Sequence, residues 1–223
     1  MLLERRAHEV HIGVEARRRR AICDIDEALR LDRERDDVPM HAELGGDGAQ
    51  TFAELSDAEV AVVMARATEV STRPGRPIFG ERRDPQILLV TKGVVREYYE
   101  CADGRDVTRL FARAGEFVAN AFDETSSHVN IAGVTDAHPL AMRWTDVETL
   151  SRALPQVTKL VRTCIQASQR GVLEREFRFA TLSPADHYEY LTRHSPWIEQ
   201  NAPLYVIASF LRIFPEQRRG APR

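Results

Sequence analysis

The sequence predicts an α+β chain in which an antiparallel β-barrel or sandwich is followed by a long helix and then a small helical unit. Three observations carry this reading. Between residues 69 and 144, short β-type runs alternate with turn residues at regular spacing. From Asp146 onward the apolar residues instead recur at three-and-four intervals, the period of a helix face. The 223 residues, 43% hydrophobic and 29% charged, suffice for one domain or two small ones with a real core, which excludes disorder throughout.

Residues 1–50 stand apart. They hold 9 arginines, including the run Arg17–Arg20, against 12 Asp and Glu, and they end in the glycine cluster Leu44-Gly-Gly-Asp-Gly48. Val14, Ile22, Ile25, Leu29 and Leu31 give at most a narrow apolar stripe, so this segment reads as a charged helix plus linker. Asp24, Asp26 and Glu27 follow the four arginines and favour a solvated helical face over a phosphate contact. His8 and His11 lack the i, i+4 spacing of a metal pair on a helix.

The second unit is expected over residues 51–155. Ser56-Asp57-Ala58-Glu59 is an N-cap with acids in the first turn, and Val60, Val63, Met64 and Ala67 continue it as a short helix. The β-type runs then follow at 69–72, 77–79, 86–91, 94–99, 106–111, 128–134 and 138–144, for roughly eight strands in all. Asp103-Gly104, between Tyr98/Tyr99 and Val107/Leu110, is the strongest hairpin signal, because glycine supplies the positive φ of a tight turn. Val147, Leu150 and Leu154 make a short helix stopped at Pro155.

The stripe Val157, Leu160, Val161, Cys164, Ala167, Ser168, Gly171 and Val172 predicts a long helix over 156–180. Its small residues suit close helix approach, so it reads as a dimer seam, with packing on its own barrel as the alternative. Ser183-Pro184 caps and opens another helix that stops before Pro196. Pro203 starts the apolar helix Leu204–Leu211, and Pro215-Glu216-Gln217 begins one more that Gly220 and Pro222 interrupt.

The order of these parts resembles the Crp/Fnr superfamily of bacterial transcription regulators, from about Thr51 to Pro215. The matching segments are Ile87–Tyr99, Asp103–Phe111, Ala114-Gly-Glu-Phe117, Ser183–Leu191 and Pro203–Leu211. The resemblance implies a cyclic-nucleotide-binding-like jelly roll that senses an effector, a long dimerisation helix, and a winged-helix-like unit over 181–223 that reads DNA. A start at Met40 would bring the length closer to that family's.

By the same resemblance the effector pocket is expected at Gly115, Glu116, Phe117, Asn120, Ser126, Ser127 and His128. Gly115-Glu116-Phe117 keeps the family pattern, but Ala119-Asn120 replaces its next Gly-Glu, and no arginine stands in Ser126–Val129 to pair with a cyclic phosphate. Burying a phosphate without a paired charge is costly, so these residues argue against cyclic AMP. Cys23 is the lone N-terminal cysteine, which argues against an iron–sulfur cluster. Cys23, Cys101 and Cys164 also lack the spacing of a disulfide framework or a zinc site. The effector itself is left unknown.

Candidate DNA contacts are Arg212, Glu216, Gln217, Arg218 and Arg219. Arg212 stands where the family's tight turn has glycine, and Glu216 where it carries a base-reading Glu. Pro215–Arg219 spans little more than one turn where a recognition helix has about three, so the helix-turn-helix reads as incomplete. The alternative is therefore a sensor or interaction module that keeps barrel and dimer helix without DNA reading.

The net charge of −3 excludes a general polyanion binder. The local positive excess lies in residues 204–223, where four arginines face Glu216 alone. No run of 18 apolar residues is present, so a cytoplasmic homodimer without membrane contact is expected. Catalysis is not expected: nucleophile elbow, phosphate loop and HExxH are all missing, and His128 and His138 do not have cupin spacing.

Overall fold

The computed structural model describes residues 54–79, 85–120 and 129–214. Expectations for residues 1–50, Ser126, Ser127, His128, Glu216, Gln217, Arg218 and Arg219 lie outside these.

Helix α1 (Asp57–Met64) opens with a capping box. The Ser56 hydroxyl accepts from the Glu59 amide, and the Glu59 carboxylate accepts from the Ser56 amide at 2.8 Å, satisfying two N-terminal donors reciprocally. Seven strands follow among the described residues: β1 (Thr68–Glu69), β2 (Gln86–Lys92), β3 (Val94–Glu100), β4 (Asp106–Arg113), β5 (Phe117–Ala119), β6 (Val129–Gly133) and β7 (His138–Arg143). They pair antiparallel in two sheets, ordered β1-β7-β2-β5 and β4-β3-β6.

The strand-like run 77–79 contributes only an isolated bridge, Pro77 to Ala132, because Pro77 has no amide to donate to a ladder. The three-residue β5 has no alternation long enough to mark it in the sequence. Gly104 turns the β3–β4 hairpin at φ 78°, with Asp103 accepting from the Arg105 amide at 3.2 Å. Gly93 links β2 to β3 at φ 83°, and a Cβ there would lie 2.2 Å from the Asp136 carbonyl.

After β7, α2 (Trp144–Ala153) runs straight into α3 (Pro155–Thr181). The break falls at Leu154, which is extended; Pro155 is not a stop but the first residue of the new helix, where its missing N–H costs nothing. Ser183 caps α4 (Pro184–His194) by accepting from the Asp186 amide at 3.2 Å. Two short helices follow, α5 (Pro196–Asn201) and α6 (Leu204–Phe210). The first of these is hidden in the sequence by the prolines at both ends.

Period-2 alternation sorts the side chains into layers. Leu88 and Val90 of β2 meet Val95, Leu110 and Ile131 between the sheets. Ile87 and Leu89 point the other way, with Met142, and are covered by Val63 and Met64 of α1, Val147 and Leu150 of α2, and Val157 and Leu160 of α3. On the far side, Val94 and Phe111 are covered by α4–α6 through Leu191, Trp197, Ile198, Val206, Ile207 and Phe210. Each such side chain contributes roughly 1.5–3 kcal/mol on burial.

This layering takes up part of the apolar stripe on α3. Val157, Leu160, Ala167 and Gly171 are buried within the chain, and Val161, Cys164, Ser168 and Val172 are half-buried. The apolar outer face of the four-stranded sheet needs cover, and Val157, Leu160, Val161 and Cys164 supply it. The apolar residues that α3 leaves open are Leu173 and Phe177, 70% and 67% exposed.

Candidate functional site

The site is organised by one irregularity in β4. Glu97 pairs with Leu110 and Tyr98 with Thr108, which leaves Arg109 as an extra, bulged residue. A bulge re-aims side chains, and here it lets Leu110 fill the space between the sheets while the Arg109 guanidinium reaches the Glu97 carboxylate. Glu97 is only 2% exposed, and its second oxygen accepts from the Ala119 amide of β5 at 3.2 Å. Burial raises the Glu97 pKa, against the opposing pull of Arg109, the Ala119 hydrogen bond and Arg175.

The same bulge touches both helical layers. Arg175 of α3 donates to the Arg109 carbonyl. The neighbouring Thr108 amide donates to the Ser209 hydroxyl of α6 at 2.8 Å, and Ser209 donates onward to the Asp106 carbonyl at 2.8 Å. Ser209 thereby caps an edge strand whose free amide would otherwise be buried unpaired. Arg96 completes the edge, bonding the Thr108 hydroxyl at 3.0 Å and Asp106 at 2.6 Å.

Glu97 and Arg109 form the polar end of a small, partly open cavity of about 50 Å³ between the sheets and α3. Its other walls include Ile87, Phe117, Trp144, Val161, Cys164, Ile165 and Ser168. An almost wholly apolar space of about 60 Å³ adjoins it and shares Ile87, Phe117, Val161 and Cys164. Burial pushes the Cys164 thiol up to about 12, so it stays protonated and is no nucleophile at neutral pH.

Of the pocket residues expected from sequence, Phe117 lines both spaces. Gly115 makes the β4–β5 turn at φ 91°. Glu116 is buried in that turn, its carboxylate accepting from the Arg113 amide at 3.0 Å. Asn120 is also buried, accepting from the Gln86 amide at 2.8 Å and so holding β5 against β2. Glu116 and Asn120 thus close the barrel here. Of the charged pair that does face the cavity, only Glu97 had a sequence signal: it alternates with the buried Val95 of β3 and so is a charge at an inward-pointing position. The bulge that aligns them leaves no such trace.

Arg212 lies beyond α6 in the left-handed region, φ 56°, the only non-glycine there among the described residues. Its amide bonds the Ser209 carbonyl at 3.1 Å and the Ile213 amide bonds the Ala208 carbonyl at 2.8 Å, the two bonds of a Schellman helix end. The backbone turn is therefore kept although glycine is absent. The side chain stacks on Phe179 of α3 at 4.0 Å and pairs with Glu176 at 3.1 Å. Beside it, the His187 ring lies 4.8 Å from Phe179 and 6.0 Å from Phe210. Burial first, then Arg178, Arg175 and Arg212, push its pKa down to about 4.

Two facing antiparallel sheets, a long helix laid across them and a C-terminal helical unit define the cyclic-nucleotide-binding-like jelly-roll fold of the Crp/Fnr regulators. Solved structures of this fold superpose on the chain. FixK2 from Bradyrhizobium japonicum matches at a TM-score of 0.55 and 18% identity, over 66% of this chain and 78% of its own. A protein from Eubacterium rectale assigned to the Crp/Fnr family of transcriptional regulators matches at 0.55 and 15%, over 73% and 85%. A CooA variant from Carboxydothermus hydrogenoformans matches at 0.50 and 15%, over 63% and 93%. At these identities the likeness is one of fold. No family model matches the sequence, and no curated protein matches it. Among the described residues no helix is long and apolar enough to cross a membrane.

Proposed function

We propose that the chain is a homodimeric transcription regulator of Crp/Fnr type, in which residues 51–155 sense a small molecule other than cyclic AMP and residues 181–223 contact DNA. The observation that carries this reading is the Arg109 bulge, where cavity, long helix and C-terminal helices meet within two consecutive residues. A ligand that moves the Glu97–Arg109 pair strains the bonds to Arg175 and Ser209 at once. Displacing α6 in this way changes where the DNA-contacting end is presented, which is the differential contact that allosteric control requires.

Support against cyclic AMP lies in Asn120 and Glu97. Asn120 holds a strand edge, and the Glu97 carboxylate already occupies Arg109. For the dimer, the open stripe around Leu173 and Phe177 replaces the buried one as the seam: two large apolar side chains one turn apart on a helix face suit a second copy of the same helix.

Binding of the purified full chain to DNA from upstream of its own gene, followed by mobility shift over a salt series, tests the reading. Nanomolar, sequence-dependent binding at moderate salt is the expected result. Binding that is sequence-independent and collapses steeply with salt overturns it in favour of a sensor module that does not read DNA.

A further inference from the structure

A separate recess, open to solvent and of about 610 Å³, lies at the corner where α1 ends and α2 begins, and none of its described lining residues comes from α3. Register builds its floor. Thr68 pairs with Ala141 and Gln86 with Arg143, so all four stand on the face of the four-stranded sheet that also carries Leu88. Leu88 and Ala141 are buried, but toward the strand ends this face emerges at the half-buried Gln86 and the exposed Arg143 and Thr68. Val70 and Phe79, packed against the same core, give the recess an apolar and aromatic wall.

Another wall is charged. Asp146, in the first turn of α2, accepts from Arg66 Nη1 at 3.2 Å through one oxygen and from Arg143 Nε at 2.8 Å through the other. Each guanidinium carries five N–H donors and has given one. Arg143 keeps its Nη1–Nη2 edge and Arg66 its Nε–Nη2 edge, the paired-donor geometry that takes an oxyanion bidentately. Two positive charges share one carboxylate, so one further negative charge brings the group to neutrality. The brace on Asp146 also holds both guanidiniums before a ligand arrives, which lowers the ordering cost of binding. The volume is within the range of small-molecule sites.

We propose that this recess binds a small organic monoanion built on a ring, with its oxyanion between Arg66 and Arg143 and its ring against Phe79 and Val70. Arg66 and Arg143 select the charge, and the apolar wall selects the body. The Thr68 hydroxyl and the Gln86 amide add hydrogen-bonding groups at the rim. This site lies apart from the cavity beside Glu97 and Arg109.

Isothermal titration calorimetry of the full chain with matched probes tests the proposal. 2-Naphthoate carries both features, 2-naphthamide keeps the ring without the charge, and inorganic phosphate keeps an oxyanion without the ring. The naphthoate is expected to bind at least tenfold more tightly than either of the others. Arg66 and Arg143 are 42% and 66% exposed, so salt screens them, and raising it from about 50 to about 500 mM should weaken naphthoate binding roughly threefold or more. Arg66→Gln and Arg143→Gln each lower its affinity at least fivefold. Thr68→Trp, at an exposed strand-edge position, fills the recess and does the same while leaving both arginines in place. Circular dichroism confirms that the variants fold.

Equal binding of the naphthamide overturns the proposal, as does naphthoate binding that neither arginine variant weakens. Phosphate bound as tightly as the naphthoate removes the ring-bearing ligand. An acidic tetrapeptide without aromatic residues that binds as tightly, and is lost in the same arginine variants, overturns the small-molecule assignment in favour of an acidic protein segment.

Discussion

The two helical layers that sandwich the β-sheets are built to different standards of closure. On the four-stranded sheet, α1, α2 and α3 pack mainly aliphatic side chains and leave about 60 Å³ of apolar space next to the Glu97–Arg109 cavity. On the three-stranded sheet, α4–α6 pack Leu191, Trp197, Ile198 and Phe210 against Val94 and Phe111 and add directional bonds from Ser209 to the β4 edge. Phe111 is 1% exposed and lies 5.4 Å from the Phe210 ring. A layer held by non-directional contacts can shift around a void, whereas one fixed by hydrogen bonds and stacked rings resists adjustment. In the proposed regulator the first layer is the one that adjusts to a ligand and the second the one that passes movement on.

The sharpest test of this contrast pairs one substitution in each layer. Phe111→Ala should destabilise by about 3–5 kcal/mol, because both Phe210 and the edge strand lose their packing partner. Cys164→Leu, which extends into the space on the other side, should change stability by less than about 1.5 kcal/mol. Urea unfolding measures both. Comparable losses for the two would show the layers to be equally tight.

The layers themselves were largely legible in the sequence, and the way they are used was not. The unbroken apolar run Ile87–Val90 and the three-and-four stripe from Val157 to Val172 state that both faces of β2 and one face of α3 are apolar. They do not state what covers them. The stripe on α3 reads as a seam for a second copy, and only the outward-facing Ile87, Leu89 and Met142 show that the chain's own sheet claims Val157 and Leu160. Glu97 and Arg109 were missed for a different reason. Their meeting depends on a one-residue register slip in β4, and a bulge at Arg109, without glycine, has no composition signal. Asn120 was read at a ligand-facing family position, yet its side chain satisfies the Gln86 amide, a long-range bond that spacing alone does not reveal.

The closed layer should also respond to acid. His187 is held neutral among Phe179, Phe210, Arg175, Arg178 and Arg212, with its pKa pushed down to about 4 from an ordinary value near 6.5. Between those values the unfolded chain takes up a proton that the folded chain refuses, so unfolding is favoured as pH falls. The stability it protects is fully present above about pH 6.5 and is lost progressively toward pH 4. Thermal melts should show the midpoint falling by roughly 2–4 °C more between pH 7 and pH 5 in the unaltered chain than in His187→Gln. Identical pH profiles would mean that the imidazole is open to solvent, and the layer less closed than its packing suggests.

The smallest effect lies at the end of α6, where the two layers are tied through α3. Arg212 adopts φ 56°, the helix-end conformation that glycine takes without strain and other residues take at a cost of roughly 1 kcal/mol. The side chain is retained against that cost by Phe179 and Glu176, both on α3, so its role is to clamp the C-terminal helices to the long helix. Removing the side chain in two ways separates strain from clamp. Arg212→Ala loses the clamp and keeps the strain, while Arg212→Gly loses both. The glycine variant should therefore be the more stable of the two by about 1 kcal/mol in urea unfolding. Both variants should exchange the Ile213 amide faster than the unaltered chain, because the Ala208–Ile213 bond then closes a helix end that α3 no longer holds. Equal stability of the two variants would show that the turn opens when the clamp is lost, and that α3 rather than local backbone preference sets the course of the chain after α6.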